Sequence, residues 1–171
     1  MKKLYSVLLV VALTVAMVLP VFAAPSPHAE AKAAKSNATV EVAGAKVEAL
    51  SKGLFDGVVA VVTNPTHLTN LGVNPAAKLA AAFDLKIEIP AGQTSVSVPI
   101  KVSNAKVGDY AVILHRMDNE AKTWEKVGEG YLGADMTVTG TFTSFSPVVV
   151  MVVDAAQASA AGVKAPKTGE F

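Results

Sequence analysis

Between residues 39 and 154 most segments alternate apolar and polar residues with a period of two, which is typical of half-buried β-strands. Residues with a strong preference for turns separate these segments, as at Pro90-Ala91-Gly92-Gln93 and Asp118-Asn119-Glu120-Ala121. The predicted strands are 39–42, 45–50, 84–89, 94–102, 109–117, 122–127, 136–142 and 148–153. A series of short strands separated by turns predicts an all-β fold, an antiparallel β-sandwich.

Two segments of this region depart from the alternation. Val58–Val62 is a continuous apolar run that ends at Asn64-Pro65, which predicts a strand buried on both faces. Residues 67–72 and 75–83 have helical composition, with Asn74 as a cap and Pro75 at a first helical position. They predict a short helical insertion between strands.

The first 23 residues have the pattern of a secretory signal peptide. Lys2 and Lys3 precede an apolar run over residues 4–19, and a proline and small residues follow it. We expect a signal helix that signal peptidase cuts between Ala23 and Ala24. The alternative is an uncut membrane anchor, because an apolar run of about 18 residues can cross a bilayer.

Segments of low apolar content flank the predicted sandwich. Residues 24–37 combine Pro, Ala, Ser and charged residues without an apolar face, which predicts a flexible linker. Residues 155–171 are small, polar and punctuated by Pro and Gly, which predicts a disordered spacer. The sandwich domain is therefore expected to span residues 38–154.

The spacer contains a short motif made of Pro166, Lys167, Thr168, Gly169 and Glu170. It resembles the LPXTG-type sorting signal of Gram-positive surface proteins, in which a sortase cleaves between Thr and Gly and joins the Thr to peptidoglycan. Ala165 stands where that family has leucine, and the chain stops at Phe171, where the family continues into an apolar helix and basic residues. Two interpretations stay open: a truncated reading frame, or a released protein with a vestigial motif.

A second resemblance involves the last half of the predicted sandwich. Residues 108–116, 124–127 and 139–150, with Ser-Phe-Ser-Pro at 144–147, form a set of motifs. The set resembles the C-terminal β-rich module of Clostridia-type secreted and cell-wall-anchored proteins. That resemblance implies an immunoglobulin-like sandwich.

The aromatic residues of this set are expected to be structural. Trp124 follows a hairpin turn and is predicted to be a core anchor that buries about 150–250 Å², with Phe142 and Phe145 packed near it. The functional alternative is that these aromatic rings form a ligand platform.

Composition and spacing exclude several kinds of chemistry. The chain has no cysteine, so it has no disulfide and no thiolate site. Its formal charge of +1 includes Lys2 and Lys3 and becomes −1 without them, so we expect no nucleic-acid partner. His28, His67 and His115 have no second ligand at metal-binding spacing, and His115 is expected to be half-exposed on a strand.

These features predict an exported, non-enzymatic protein of the Gram-positive cell surface, without cofactor, whose sandwich is a structural or a binding module. Its expected partners are signal peptidase and, if it is anchored, sortase and peptidoglycan; the sequence identifies no extracellular ligand. The first alternative is a released carbohydrate- or protein-binding module. The second is a small extracellular hydrolase, whose carboxylates would converge only in three dimensions.

Overall fold

The computed structural model describes residues 38–40, 45–117, 123–144 and 147–164, which form eight strands and three helices. The strands are β1 (Ala38–Val40), β2 (Lys46–Glu48), β3 (Lys78–Lys86), β4 (Val96–Val102), β5 (Tyr110–Arg116), β6 (Trp124–Tyr131), β7 (Thr137–Phe142) and β8 (Pro147–Val153). The helices are α1 (Lys52–Val62), α2 (Pro65–Asn70) and α3 (Ala155–Ala160). The predicted signal peptide, the linker 24–37, the turn 118–121 and the sorting-like motif lie outside the described residues.

The strands form two packed antiparallel sheets. One has three strands in the order β1-β4-β7, and the other has five in the order β2-β3-β8-β5-β6. Every pairing is antiparallel, including the predicted hairpin β5–β6. The prediction of an all-β, sandwich-like fold is therefore confirmed at the level of two packed sheets with short helices.

The larger core lies between the two sheets. Ile100 of β4 and Phe142 of β7 meet Phe83, Ile113 and Val150 of the five-stranded sheet, and all five side chains are fully buried. Because successive residues of a strand point to opposite faces, the alternation in these strands supplies one side of this core.

A second core lies on the outer face of the five-stranded sheet, where the helices pack. Phe55 of α1 and Leu68 of α2 are buried against Leu114 of β5 and Met151 of β8. Ala158 of α3 belongs to the same cluster. The central strands of the larger sheet are thus buried on both faces, as their nearly continuous apolar sequences require.

The predicted strand at Val58–Val62 is wrong, because these residues form the second half of helix α1. A continuous apolar run has no period that distinguishes a buried strand from a buried helix. Phe55 and Val58, three residues apart, form the buried side of the helix, and Lys52 pairs with Asp56 at 2.8 Å on the exposed side. This segment covers the outer face of the five-stranded sheet, where a helix can bury one side and leave the other in solvent.

The two Asn-Pro pairs have the opposite roles to those predicted. Asn64 accepts hydrogen bonds from the backbone N–H groups of Thr66 and His67 at 3.0 and 3.2 Å and caps α2, which begins at Pro65. Asn74 accepts a hydrogen bond from the Ala76 N–H at 2.9 Å, but this closes a turn. The predicted helix at 75–83 is therefore wrong for 78–83, which form β3 and pair with β8.

Residues 155–160 form helix α3, although their composition predicts a spacer. Asp154 caps the helix by accepting a hydrogen bond from the Gln157 N–H at 2.9 Å, and Ala158 is fully buried. The Tyr131 hydroxyl donates to the Val163 carbonyl at 3.4 Å. The chain therefore stays packed on the sandwich for about ten residues beyond β8.

The first described strand begins and the last strand ends at the same end of the sandwich. Ala38 pairs with Val102, the last residue of β4, and Val153 pairs with Tyr110, the first residue of β5. The connection 103–109 joins Val102 to Tyr110, so both pairs lie at one end. We call it the entry end.

The edges of the two sheets meet where β6 passes β7. The β5–β6 pairing has a bulge opposite Ile113 and Leu114, and next to it Gly128 lies against β7. A Cβ atom at Gly128 would clash with the Thr139 carbonyl oxygen and would lie 2.9 Å from the Gly140 Cα. Only glycine permits this close approach of two backbones.

We expect Gly128→Ala to destabilise the protein by about 2 kcal/mol or more, because backbone atoms must move to accommodate the methyl group. The matched control is Gly130→Ala in the same strand, where a Cβ atom meets nothing within 4 Å. That change should alter the free energy of unfolding by less than about 0.5 kcal/mol. Urea denaturation of the two variants checks this; equal stabilities would contradict the close contact of the sheets.

Candidate functional site

A cleft of about 200 Å³ lies on the helical side of the five-stranded sheet. It is lined by Val61 at the end of α1, by His67, Asn70 and Leu71 in and after α2, and by Trp124 at the start of β6. Two of the lining groups, the imidazole and the amide, are polar, and the rest of the wall is apolar.

Strand pairing positions the tryptophan. Trp124 pairs with Arg116 at one end of the β5–β6 hairpin, whereas Tyr131 pairs with Tyr110 at the entry end. The cleft thus lies toward the end of β6 that is remote from the entry end. Because β6 is the edge strand, the Trp124 side chain is only partly buried against the second core.

The expectation that Trp124 packs near Phe142 is wrong. Trp124 packs with the cluster on the helical face, whereas Phe142 is fully buried between the two sheets. The five-stranded sheet separates the two rings. Phe145, the third ring of the expected group, lies outside the described residues.

Helix α2 and the residue that ends it supply three of the other four lining side chains. His67, Asn70 and Leu71 are spaced i, i+3 and i+4, so they lie along one side of the helix. Leu68 is buried in the core and holds the helix against the sheet. His67 and Asn70 are exposed, and neither side chain makes a hydrogen bond to any residue in the described ranges.

This group of side chains was not predicted from the sequence, although its spacing is a recognisable signal. With Pro65 as the first helical residue, the positions 67, 70 and 71 mark one helical side. The prediction placed a strand end at Asn64-Pro65, and that assignment hid the pattern.

The lining contains no aspartate, glutamate, lysine or arginine. Two cations lie near the cleft without lining it: Lys126, whose Nζ is paired with Glu129 at 2.7 Å, and Arg116, the strand partner of Trp124, whose guanidinium lies 3.9 Å from the position of a Cβ atom on Gly57. This lining suits the binding of an uncharged molecule and offers no nucleophile with an adjacent base.

The prediction that His115 is half-exposed is wrong, because its side chain is fully buried. Its Nδ1 lies 3.1 Å from the Glu125 Oε1 of the opposite strand, and its ring meets the Phe142 ring nearly at right angles, with centroids 5.5 Å apart. In β5 the alternation places His115 on the side that faces the other sheet. Its role is structural, since no ligand can reach the ring from solvent.

The remaining histidines and the residues of the predicted processing sites lie either in the cleft or outside the described part of the chain. His67 lies in the cleft, and His28 lies outside the described residues. The cleavage residues Ala23 and Ala24 and the motif Pro166–Glu170 also lie outside them. In the parts of the chain that the structure describes, no three His, Asp or Glu side chains are grouped so as to hold a metal ion.

A wider cavity of about 500 Å³ lies near the entry end, and the fold already uses both of the carboxylates that line it. Asp109 accepts a hydrogen bond from the Lys106 N–H at 2.9 Å, and Asp154 caps α3. The Asn74 amide donates to the Gln157 carbonyl at 3.0 Å behind this surface. These interactions close loops and cap a helix, and the cavity has no aromatic wall of the kind that Trp124 gives to the cleft.

Near the entry end, Tyr110, Glu129 and Lys126 form a hydrogen-bonded group in which the pKa values of Tyr110 and Glu129 are shifted. Burial raises the pKa of the Tyr110 hydroxyl above its usual value, and a hydrogen bond to Glu129 raises it further. Burial acts to raise the pKa of Glu129, but hydrogen bonds from Lys126 and Tyr110 outweigh it and lower that pKa. The Tyr110 and Tyr131 rings meet edge to face at 4.9 Å.

Within the described residues no helix is both long enough and apolar enough to span a bilayer. Comparison of the chain with known protein families, with characterised proteins and with solved structures finds no match. Support for the candidate site therefore comes from its geometry alone.

We expect the Tyr110→Phe variant to be less stable than the wild type at pH 8, by about 1 kcal/mol, because the hydrogen bond to Glu129 is lost. This difference should shrink as the pH rises above about 10. There the unfolded tyrosine loses its proton while the folded one, with its raised pKa, keeps it, so the free energy of unfolding of the wild type falls.

Urea denaturation of both proteins at pH 8 and pH 11 measures this change. Because the other titrating groups are common to both proteins, the difference between them isolates Tyr110. A stability difference that is the same at both pH values would contradict the raised pKa.

Proposed function

We propose that this chain is an exported protein of the Gram-positive cell surface whose sandwich is a non-enzymatic binding module, attached to its surroundings by one end. The proposal joins the signal-like segment 1–23 and the motif at 166–170 to the cleft around Trp124.

The observation that carries the proposal is the position of the cleft relative to the entry end. The described chain begins at the entry end, at Ala38, and its last residues pack near the same end, where the Val163 carbonyl accepts a hydrogen bond from Tyr131. A module that acts as a link in a linear stalk needs its ends on opposite sides. Trp124 lies at the other end of β6, about 23 Å away for eight residues of strand. This arrangement favours a module that holds a cleft away from its attachment over a plain spacer.

We also propose that the sandwich is of the immunoglobulin-like type. The pairs β4–β7 and β5–β8 match its B–E and C–F pairs, with β1 beside the first and β6 beside the second. One difference is that β3 occupies the place beside β8 that the last strand of an immunoglobulin domain takes. In an immunoglobulin domain that strand comes last in the chain, whereas β3 comes before β4. The likeness is therefore limited to how the strands are arranged around the core.

The alternative is a released module, and the packing of the last described residues favours it. Val163 is partly buried against the second core, and its carbonyl accepts a hydrogen bond from Tyr131. Pro166 follows three residues later, so an extended chain would carry the motif only about 10 Å from the folded surface. A sortase would then need to reach the motif close to the sandwich.

Production of the full chain in a Gram-positive host with an active sortase tests the proposal. We expect mass spectrometry to show an N-terminus at Ala24, and digestion of the wall with a muramidase to release chain linked through Thr168. Thr168→Ala should abolish the wall-linked fraction without preventing export. Lys167→Ala is the matched control, because the sorting signal accepts different residues at that position.

The outcomes separate the alternatives. Cleavage at Ala24 with all of the chain in the medium would support the released module and reject anchoring. An uncut chain that stays inside the cells or in the membrane would overturn the proposed export.

A further inference from the structure

We propose that the tryptophan cleft binds a single uncharged sugar ring. This inference depends on the proposed binding function and adds the chemical class of the ligand. The cleft is small, has an apolar wall and two polar side chains, and has no lysine, arginine, aspartate or glutamate in its lining.

The cleft has room for one ring. Its volume of about 200 Å³ is below the range of about 300–1,000 Å³ that is usual for drug-sized ligands. It opens to solvent on the exposed side of α2, so substituents of a bound ring can extend out of it. One unit of a longer chain therefore fits as well as a free monosaccharide.

The wall suits a ring that has an apolar face. Trp124 presents a large, nearly rigid aromatic surface, and Leu71 and Val61 extend the apolar area beside it. The C–H groups on one face of a pyranose form such an apolar surface. Packing that face against the indole removes apolar area from water on both sides.

The polar side chains suit the hydroxyl groups at the rim of the same ring. The Asn70 amide has donors and an acceptor, and the His67 imidazole has two ring nitrogens that can form hydrogen bonds. A sugar hydroxyl also donates and accepts, so either side chain can pair with it. The two residues are one helical turn apart, and no described residue occupies their side-chain hydrogen-bonding groups.

Charge separates the sugar from other ring-shaped ligands. A phosphorylated or carboxylated ligand would find no lysine or arginine in the lining, and an amine would find no carboxylate. The nearest rival is the aromatic side chain of a peptide. It would use the Trp124 wall but would leave His67 and Asn70 without hydrogen-bond partners, which weakens binding.

The protein provides its own reporter, because Trp124 is its single tryptophan. We would titrate the full chain with glucose, N-acetylglucosamine and cellobiose and follow tryptophan emission. N-acetyltyrosinamide, read by the chemical shifts of the Trp124 indole N–H in NMR spectra, represents the rival ligand. We expect a saturable change with at least one sugar and none with the tyrosine amide.

Variants tie the signal to the cleft. Asn70→Ala and His67→Ala should each raise the Kd for the sugar by about five- to tenfold, the usual effect of one lost hydrogen bond. Thr66→Ala is the matched control, since Thr66 is exposed on the same helix but does not line the cleft. Thermal unfolding of each variant confirms that the fold is intact, as expected for exposed positions.

Each outcome decides the inference. A saturable sugar signal that both cleft variants weaken, and the control does not, supports it. No change with any of the sugars overturns it, and so does a sugar signal that neither cleft variant alters. A response to the tyrosine amide alone also overturns the sugar class but keeps the binding function, whereas failure of export affects only the proposed function.

Discussion

The structure depends on the burial of both faces of the five-stranded sheet. From Ala111 to Arg116 every side chain of β5 is buried, and β8 is buried almost throughout. Such a sheet is stable in water only if a separate layer covers each face. The three-stranded sheet covers one face and the short helices cover the other, so the fold is a sandwich with a helical layer on its outer side. Packing of this layer, more than local preference, makes these short helices stable.

The candidate site is a consequence of how that helical layer ends. Leu68 holds α2 on the sheet, and α2 stops near the edge strand β6, where the outer face is only partly covered. Trp124 lies at this border, with part of its ring in the core and part in the cleft. Polar side chains there have solvent on one side and the sheet on the other. By contrast, His115 is fully buried between the two sheets, where its Nδ1 lies 3.1 Å from the Glu125 carboxylate.

Local patterns predicted much of the sheet. The strands β4, β5, β7 and β8 have strong alternation or β-branched content, and the structure places them close to the predicted bounds. The segments 58–62 and 78–83 were assigned the wrong type for one common reason. Each contains a run of valine or alanine that is buried in either conformation, so hydrophobic content does not distinguish the two types. The choice depends on the surface that each run covers, a property of the assembled fold.

Local composition and spacing were enough to predict period-two strands for two sheets and a signal-like start, and to exclude cysteine chemistry. They also singled out Trp124. That Trp124 borders a cleft with His67 and Asn70, and that His115 is buried, follows from the packing of the assembled sheets and helices. Residues that are more than 50 positions apart meet there through the pairing of β5 with β6 and the packing of α2. Such contacts have no local signature, since they form only when distant strands and helices bury their apolar faces together.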